Sequence, residues 1–360
     1  MTTNTIPPTL VAALRKGGRK WISRLYRHEI LQARTVRGLQ IEAMQAWNRI
    51  VVKPVLDAVA STISRFDLRG NDVVLDAFPQ LRSLEESIRA TAGRGTAELR
   101  RITTQGIADI VTHEVDWLAK NAEKSLGINP PKPTTQQVMV AVEQRPFLGE
   151  KVETWFKKTL QQPTGDNARR VIQTGLQRGF TTDEIVRMLR GKRETGYSDG
   201  VLSGQSVRDV QMLVQSTATH ASAVTRIESF KALGVTKQRF LATLDEKTCP
   251  ICGAQDGKVE ELGKGPQPPL HPRCRCVLVP DFGGDPIGER ASVDGPVPAD
   301  TDFEGWLEGQ GVGVQNEVLG RTKAEAWRSG KLPLRKMLGS DLQPLTLDEL
   351  RQLDRIPDEE

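Results

Sequence analysis

Apolar residues recur every three to five positions over the first third of the chain, with arginines set between them, and that spacing predicts long helices. Between about Arg19 and Ser64 the recurring positions are Trp21, Leu25, Ile30, Val36, Leu39, Met44 and Trp47, with Arg24, Arg27, Arg34 and Arg37 in the gaps. Gly17-Gly18 is expected to separate this segment from a short helical piece after Pro7 and Pro8, and Pro54 to kink or restart it. A break at 67–74, containing Gly70-Asn71-Asp72, precedes Leu75, Phe78, Leu81, Leu84 and Ile88. Gly93 and Gly95 should interrupt this second helix before the pattern resumes with Leu99, Ile102, Ile107, Ile110, Val111, Val115 and Leu118. Long helices joined by a short turn predict an antiparallel hairpin.

The run Gly127-Ile128-Asn129-Pro130-Pro131-Lys132-Pro133 cannot continue a helix, so a boundary is placed there. Shorter helices are expected at about 135–144, 148–160, 166–178 and 182–190, the last opened by the capping-box pair Thr181 and Glu184. Residues 191–204, rich in glycine, serine and charge, should be an exposed loop, and their glycines do not match a phosphate-binding loop. Another helix runs from Ser206 to about Leu233 and ends at Gly234. Partial alternation at 237–244 predicts a strand; a second is expected from Arg275 to Val279, stopping at Pro280, with a turn at Asp256-Gly257 between them. Residues 281–300 look loop-like; the tail then offers Phe303-Glu304-Gly305-Trp306-Leu307, a Val-Leu-Gly segment at 318–320, and helical stretches expected near 321–329 and 347–355, the last capped by Thr346 and Glu349. The expected fold is mainly α: a long N-terminal helical hairpin or bundle, a small α+β Cys/His module, and an extended C-terminal helical tail. The corresponding segments are a basic N-terminal helical domain (1–129), a central helical domain (134–236), the Cys/His β-hairpin module (237–285) and the tail (286–360).

Composition sharpens this picture in two ways. Hydrophobic content of 38% and aromatic content of 5%, against 26% charged residues, favour long helices with much solvated surface over one compact enzyme-like globule. Charge is polarised, with ten Lys/Arg against three acids in residues 1–60 and seven acids against two Arg in residues 341–360. The basic face over residues 15–53 is either a contact for double-stranded DNA or an acidic protein surface, or simply the solvated side of a bundle helix. No run approaches the ~18 apolar residues of a membrane span, and the first twenty lack a signal-peptide core, so no membrane partner and a reducing cytosolic origin are expected.

In that setting the cysteines matter. All four, Cys249, Cys252, Cys274 and Cys276, fall in one stretch that also holds His271: CPICGAQDGKVEELGKGPQPPLHPRCRC. A C-x2-C pair followed by H-P-R-C-R-C offers two knuckles of soft donors, the pattern of a tetrahedral Zn²⁺ site in a reducing compartment. Five donors compete for four positions: Cys249, Cys252, Cys274 and either His271 or Cys276. With no open position implied, a structural zinc is expected; the plainer alternative is a set of buried thiols beside a hairpin. Catalysis finds little support. There is no H-E-x-x-H, no constellation that would hold a divalent ion on a scissile phosphate, and no nucleophile and acid around His220; His28 and His113 have weaker claims still.

The stretch RFLATLDEKTCPICGAQDGKV, with PPLHPRCRCVLVP after it, resembles the core motif of the phage head morphogenesis, or Mu-F-like, minor head protein family of tailed bacteriophages. The segments DFEGWLEGQ, VLGRTKAEAWRSGKL and TLDEL are similar to the region after that motif in many members, so the likeness spans roughly 205–350. Asp245, Thr248, Cys249, Cys252, Asp256, Gly257, His271, Pro272, Cys274, Arg275 and Cys276 fall on the family pattern. Where many members carry Arg-Thr-Glu before the motif, this chain has Gln215-Ser216-Thr217. The resemblance implies a non-enzymatic minor capsid protein in the virion head near the portal vertex, present in the host cytoplasm during assembly. It would serve procapsid assembly, DNA packaging or DNA ejection, with portal, major capsid or scaffold protein and the genome as partners. The alternatives are a DNA-binding protein delivered with the genome, and an injected nuclease or ADP-ribosyltransferase-type effector.

Overall fold

In a computed structural model the described residues are 8–65, 79–283 and 289–356. The expected break at 67–74 lies outside them. The chain divides into two compact units: unit 1 from residues 1–33, 110–142 and 219–360, and unit 2 from residues 34–109 and 143–218. All four junctions, near 33, 109, 142 and 218, fall inside helices: α1 (Pro8–Trp47), α3 (Pro79–Leu126), α4 (Thr135–Gln144) and α8 (Val207–Leu233).

The glycines expected to break helices do not. Helix α1 runs through Gly17-Gly18, and α3 runs through Gly93 and Gly95 for 48 residues. At Gly17 and Gly95 the role is close approach. A Cβ on Gly17 would sit 1.8 Å from the Ser125 carbonyl oxygen, and one on Gly95 2.1 Å from Val51 Cγ2. Isolated glycine costs a helix about 1 kcal/mol, which tertiary contact readily offsets. Pro54 acts as expected: a π-turn (Asn48–Val52) gives way to α2 (Lys53–Ile63) with proline in its first turn.

Unit 2 packs the second half of α1 and α2 with the first half of α3 and a run of shorter helices. Helices α5 (Val152–Phe156) and α6 (Gln162–Gln177) are joined by a π-turn (Lys157–Gln161). Trp47 is fully buried and its indole N–H donates to Ser206 Oγ at 2.7 Å. Helix α7 (Thr182–Arg190) opens with both hydrogen bonds of the Thr181/Glu184 capping box. The segment after it is less open than its composition suggests: residues 201–206 form a π-turn with Leu202, Gly204 and Ser206 buried.

In unit 1, Trp21 and Leu25 of α1, Leu118 and Leu126 of α3, and Phe230 of α8 form one apolar core, with Trp21 edge-on to Phe230 at 6.5 Å. The proline segment 128–134 ends α3, and α4 (Thr135–Gln144) begins after it. Beneath this core lies a buried polar network. Glu114 accepts from His28 Nε2 at 2.5 Å, from Gln32 and from Arg226 Nε at 3.1 Å, while Arg226 also donates to the Leu278 carbonyl at 2.9 Å. Burying one carboxylate requires this many donors.

After Gly234, whose φ of +83° ends α8, the chain forms an antiparallel sheet of order β2 (Val259–Glu261), β1 (Lys237–Leu241), β3 (Val277–Asp281). Strand β3 continues through Pro280, expected to stop it, because β3 is an edge strand where a missing N–H is tolerated. A second difference is the hairpin of β4 (Glu289–Ser292) and β5 (Gly295–Pro298) inside the stretch read as loop; its Pro296 and Pro298 hid it. Helices α10 (Phe303–Glu308), α11 (Val312–Leu319), α12 (Arg321–Arg328) and α13 (Leu347–Gln352) surround a core of Phe303, Trp306, Leu319, Trp327, Leu334 and Leu350, which Leu244 joins. The architecture is mainly helical, with small antiparallel sheets and the Cys/His cluster between β1 and β3.

Candidate metal centre

The first knuckle comes directly after β1. Asp245 begins a tight turn in which Thr248 Oγ1 donates to the Thr243 carbonyl at 2.6 Å. That turn delivers Cys249 as N-cap of the single-turn helix α9 (Pro250–Gly253), so Cys252 comes round to the same side. Pro250 suits the first helical position, where its missing N–H is not needed. The second knuckle precedes β3. Arg273 adopts φ +65°, which turns the chain sharply between His271 and Cys274. Thr219 of α8 holds the Cys274 carbonyl at 2.8 Å, and the Arg275 guanidinium pairs with both oxygens of Asp245, 2.8 Å at its Nη2. That ion pair ties one knuckle to the other.

The result is convergence of all five predicted donors. Cys252 Sγ lies 3.2 Å from His271 Nε2 and 3.7 Å from Cys274 Sγ. Cys249, Cys252 and His271 form one group whose ligand atoms lie within 4.8 Å of one another, and Cys252, Cys274 and Cys276 another. None of the four cysteines is in a disulfide. A tetrahedral Zn²⁺ with Zn–S bonds of ~2.3 Å separates two sulfurs by about 3.8 Å, and the Cys252–Cys274 separation fits. His271 Nδ1 lies 2.7 Å from the Pro272 carbonyl, a contact that would keep the proton of a neutral, metal-binding imidazole on Nδ1 and leave Nε2 as the ligand atom.

Electrostatics within the cluster point the same way. Cys249 is drawn down to about 4, first by hydrogen bonding from the Cys252 thiol and then by His271, against the opposing effect of burial. Hydrogen bonds from Cys252 and Cys276 hold Cys274 far below the ordinary thiol range. His271 is pushed up to about 10 by its hydrogen bonds with Cys249 and Cys274. Cys252, as donor to its neighbours, is pushed up, and burial does the same to Cys276. Five donors this close divide into thiolates and proton donors, and a cation would displace the protons. This donor set could hold a metal ion.

Around the cluster the Asp256-Gly257 turn has a larger role than the sequence suggests. Asp256 accepts backbone N–H bonds from Ala242 at 2.7 Å and Phe303 at 2.6 Å, and a two-pronged ion pair from Arg290 at 2.8 and 3.1 Å. Sequence reasoning misses Arg290, since it sits in a Gly/Pro-rich stretch with no motif around it. It misses the Glu114–Arg226 pair too, the partners being 112 positions apart. Of the remaining histidines, His28 belongs to the Glu114 network, and His220 is buried with Nε2 3.0 Å from the Val142 carbonyl. Neither lies in the Cys/His cluster.

Residues 166–279 match a family model described as Phage Mu protein F like protein. The matched region runs from α6 into β3 and encloses every donor of the cluster. No curated protein and no solved structure matches the chain.

Proposed function

We propose, from the premise that residues 166–279 form a Phage Mu protein F-like domain, a phage head morphogenesis and minor capsid family, that this chain is a minor structural protein of a tailed-phage head acting near the portal vertex. Its service there is procapsid assembly, DNA packaging or DNA ejection, with portal protein, major capsid or scaffold protein, and the genome as partners. The observation that carries the reading is the coincidence of the matched segment with the cluster: the family's region is the one that builds the two-knuckle site. Mass spectrometry of purified particles and procapsids tests it; the chain should appear at low copy number relative to the portal, and its absence from both would sink the proposal. Among the described residues no helix is long and apolar enough to cross a membrane.

Within that role the cluster binds Zn²⁺ as a structural ion. The donors are thiols and one imidazole with no carboxylate among them, the chemistry of closed zinc sites. Such sites contribute ~10–16 kcal/mol of apparent binding energy to folding in small peptides, ample for a three-stranded sheet whose β2 has three residues. The function needs no catalysis, and the ion acts as a cross-link. Elemental analysis checks it: about one zinc per chain is expected, and a folded, metal-free protein would count against it.

A second reading, DNA binding, draws support from charge. Unit 2 holds 23 Lys/Arg against 18 Asp/Glu, whereas unit 1 holds 27 of each. On unit 2, Arg34, Arg37, Arg49 and Lys53 are exposed, while Trp47 is turned inward. Backbone contact would make log K fall with log salt at a slope of about −0.9 per phosphate neutralised. An Arg34→Glu/Arg37→Glu variant of the full chain should bind duplex DNA more weakly with a shallower slope; unchanged or salt-insensitive binding would remove this reading.

A further inference from the structure

Unit 2 carries a cleft that neither the metal cluster nor the DNA reading uses. It lies where α6 and α7 meet the segment 191–201, has a volume of about 390 Å³, and takes its apolar lining from Val171, Phe180, Met188 and Val201. That volume falls within the ~300–1,000 Å³ of ligand clefts. Met188 is 38% exposed and Tyr197, on the adjoining loop, 39%. Both are residue types enriched at protein interfaces.

The loop beside the cleft is tightly built. Asp199 accepts from the Lys192 N–H at 2.9 Å and from the Thr195 hydroxyl, the Tyr197 N–H donates to the Lys192 carbonyl at 2.8 Å, and Arg208 Nη1 donates to the Ser198 carbonyl at 2.7 Å. At the neck of the loop a Cβ on Gly200 would sit 2.2 Å from the Arg190 carbonyl oxygen. Held in this way, Tyr197 takes φ +64°, a left-handed conformation that glycine adopts readily and a residue with a Cβ does not. Keeping an exposed aromatic ring there is unfavourable for folding alone, which marks the ring as a recognition element.

Charge then selects the occupant. Glu184, Arg187, Lys192 and Asp199 line the cleft beside its apolar residues. Glu184 already accepts from the Thr181 N–H at 2.7 Å, and Asp199 from its own loop, whereas Arg187 and Lys192 bring cationic donors to an exposed rim. A nucleic-acid backbone would meet both carboxylates and offer nothing apolar to Val171, Phe180 and Met188. An apolar side chain with a carboxylate next to it satisfies both parts of the lining.

We infer that this cleft docks a segment of a partner protein in which an apolar side chain, seated against Val171, Phe180 and Met188, is flanked by Asp or Glu that pair with Arg187 and Lys192, with Tyr197 packing on the segment from the loop. The site is defined by the chemistry of its partner, so it stands or falls apart from the metal and head-protein readings.

The test selects a yeast-displayed random peptide library against the full chain, then titrates the enriched peptides by fluorescence anisotropy. Sequences with an apolar residue beside Asp or Glu should be enriched, and Arg187→Glu, Met188→Ser and Tyr197→Gly should each weaken their binding about tenfold or more. Tyr197→Gly separates recognition from folding: glycine relieves the left-handed strain, so its thermal midpoint should equal or exceed that of the wild type while affinity falls. No enrichment, enriched peptides without acidic residues, or binding that Tyr197→Gly and Arg187→Glu both leave unchanged overturns the proposal. A labelled DNA duplex that displaces the peptides, and whose own binding the same variants weaken, assigns the cleft to nucleic acid instead and overturns it equally.

Discussion

Asp256 shows how much one side chain can carry. Its carboxylate is almost inaccessible, as is its partner Arg290, and it caps the backbone at Ala242 and Phe303, joining the end of β1, the turn after the first knuckle, β4 and α10. Truncating one member of a buried pair strands the other, at about 3–5 kcal/mol, so Asp256→Ala should lower unfolding stability by that order in urea titration. The exposed Arg89–Asp166 pair, at a similar 2.8 Å, should shift it by less than ~1 kcal/mol when broken. Glu114 makes a pH argument. Burial would raise its carboxyl, yet Arg226 and His28 hold it below its ordinary value of 4.5. A depressed carboxylate contributes stability that is fully present above its unfolded value and lost as pH falls through the folded one. Unfolding midpoints should therefore drop on acidification below about 4.5, and Glu114→Gln should flatten that acid limb while lowering stability at neutral pH.

Helices here obey packing before propensity, and the glycines show it. At Gly95 a methyl would gain about 1 kcal/mol of helix propensity but would meet Val51 at 2.1 Å and Trp47 at 3.1 Å, and overpacking costs about 1–3 kcal/mol. Gly95→Ala should therefore destabilise, whereas Gly38→Ala on exposed α1, with nothing within 4 Å, should stabilise by up to ~1 kcal/mol; paired thermal melts decide the signs. The same competition marks how far the chain could be read. Helices α4, α7 and α8 and both capping boxes were legible from period and caps, because those signals are local. The continuity of α1 and α3 was not, since whether a glycine breaks a helix or admits a neighbour depends on Ser125 or Val51, far away in sequence. The clustering of Cys249, Cys252, His271, Cys274 and Cys276 was legible because it rests on residue type and short spacing; Arg290, Thr219 and the Glu114 network were not, because any pattern that would flag them exists only after folding.

At the scale of the whole chain, local stability should be uneven. The sheet β2-β1-β3 is short, and the core beneath it is made partly of Cys252, Cys274 and Cys276 themselves. The helical core of Trp21, Leu118 and Phe230, and the C-terminal core around Trp306 and Trp327, contain none of the donors. On the proposed zinc reading, a module whose core side chains would double as metal ligands loses much of its burial with the ion, while cores of large apolar residues keep theirs. Chelating zinc from the loaded protein should thus raise amide hydrogen exchange chiefly in residues 237–281, with far-UV helix content nearly unchanged. Zinc binding must also drive off the protons that His271 and Cys252 hold, His271 having been pushed up to about 10, so metal affinity should weaken steeply as pH falls. Exchange that rises uniformly along the chain after chelation would mean that the site staples the entire fold; no rise at 237–281 would mean that β1 to β3 stand without it.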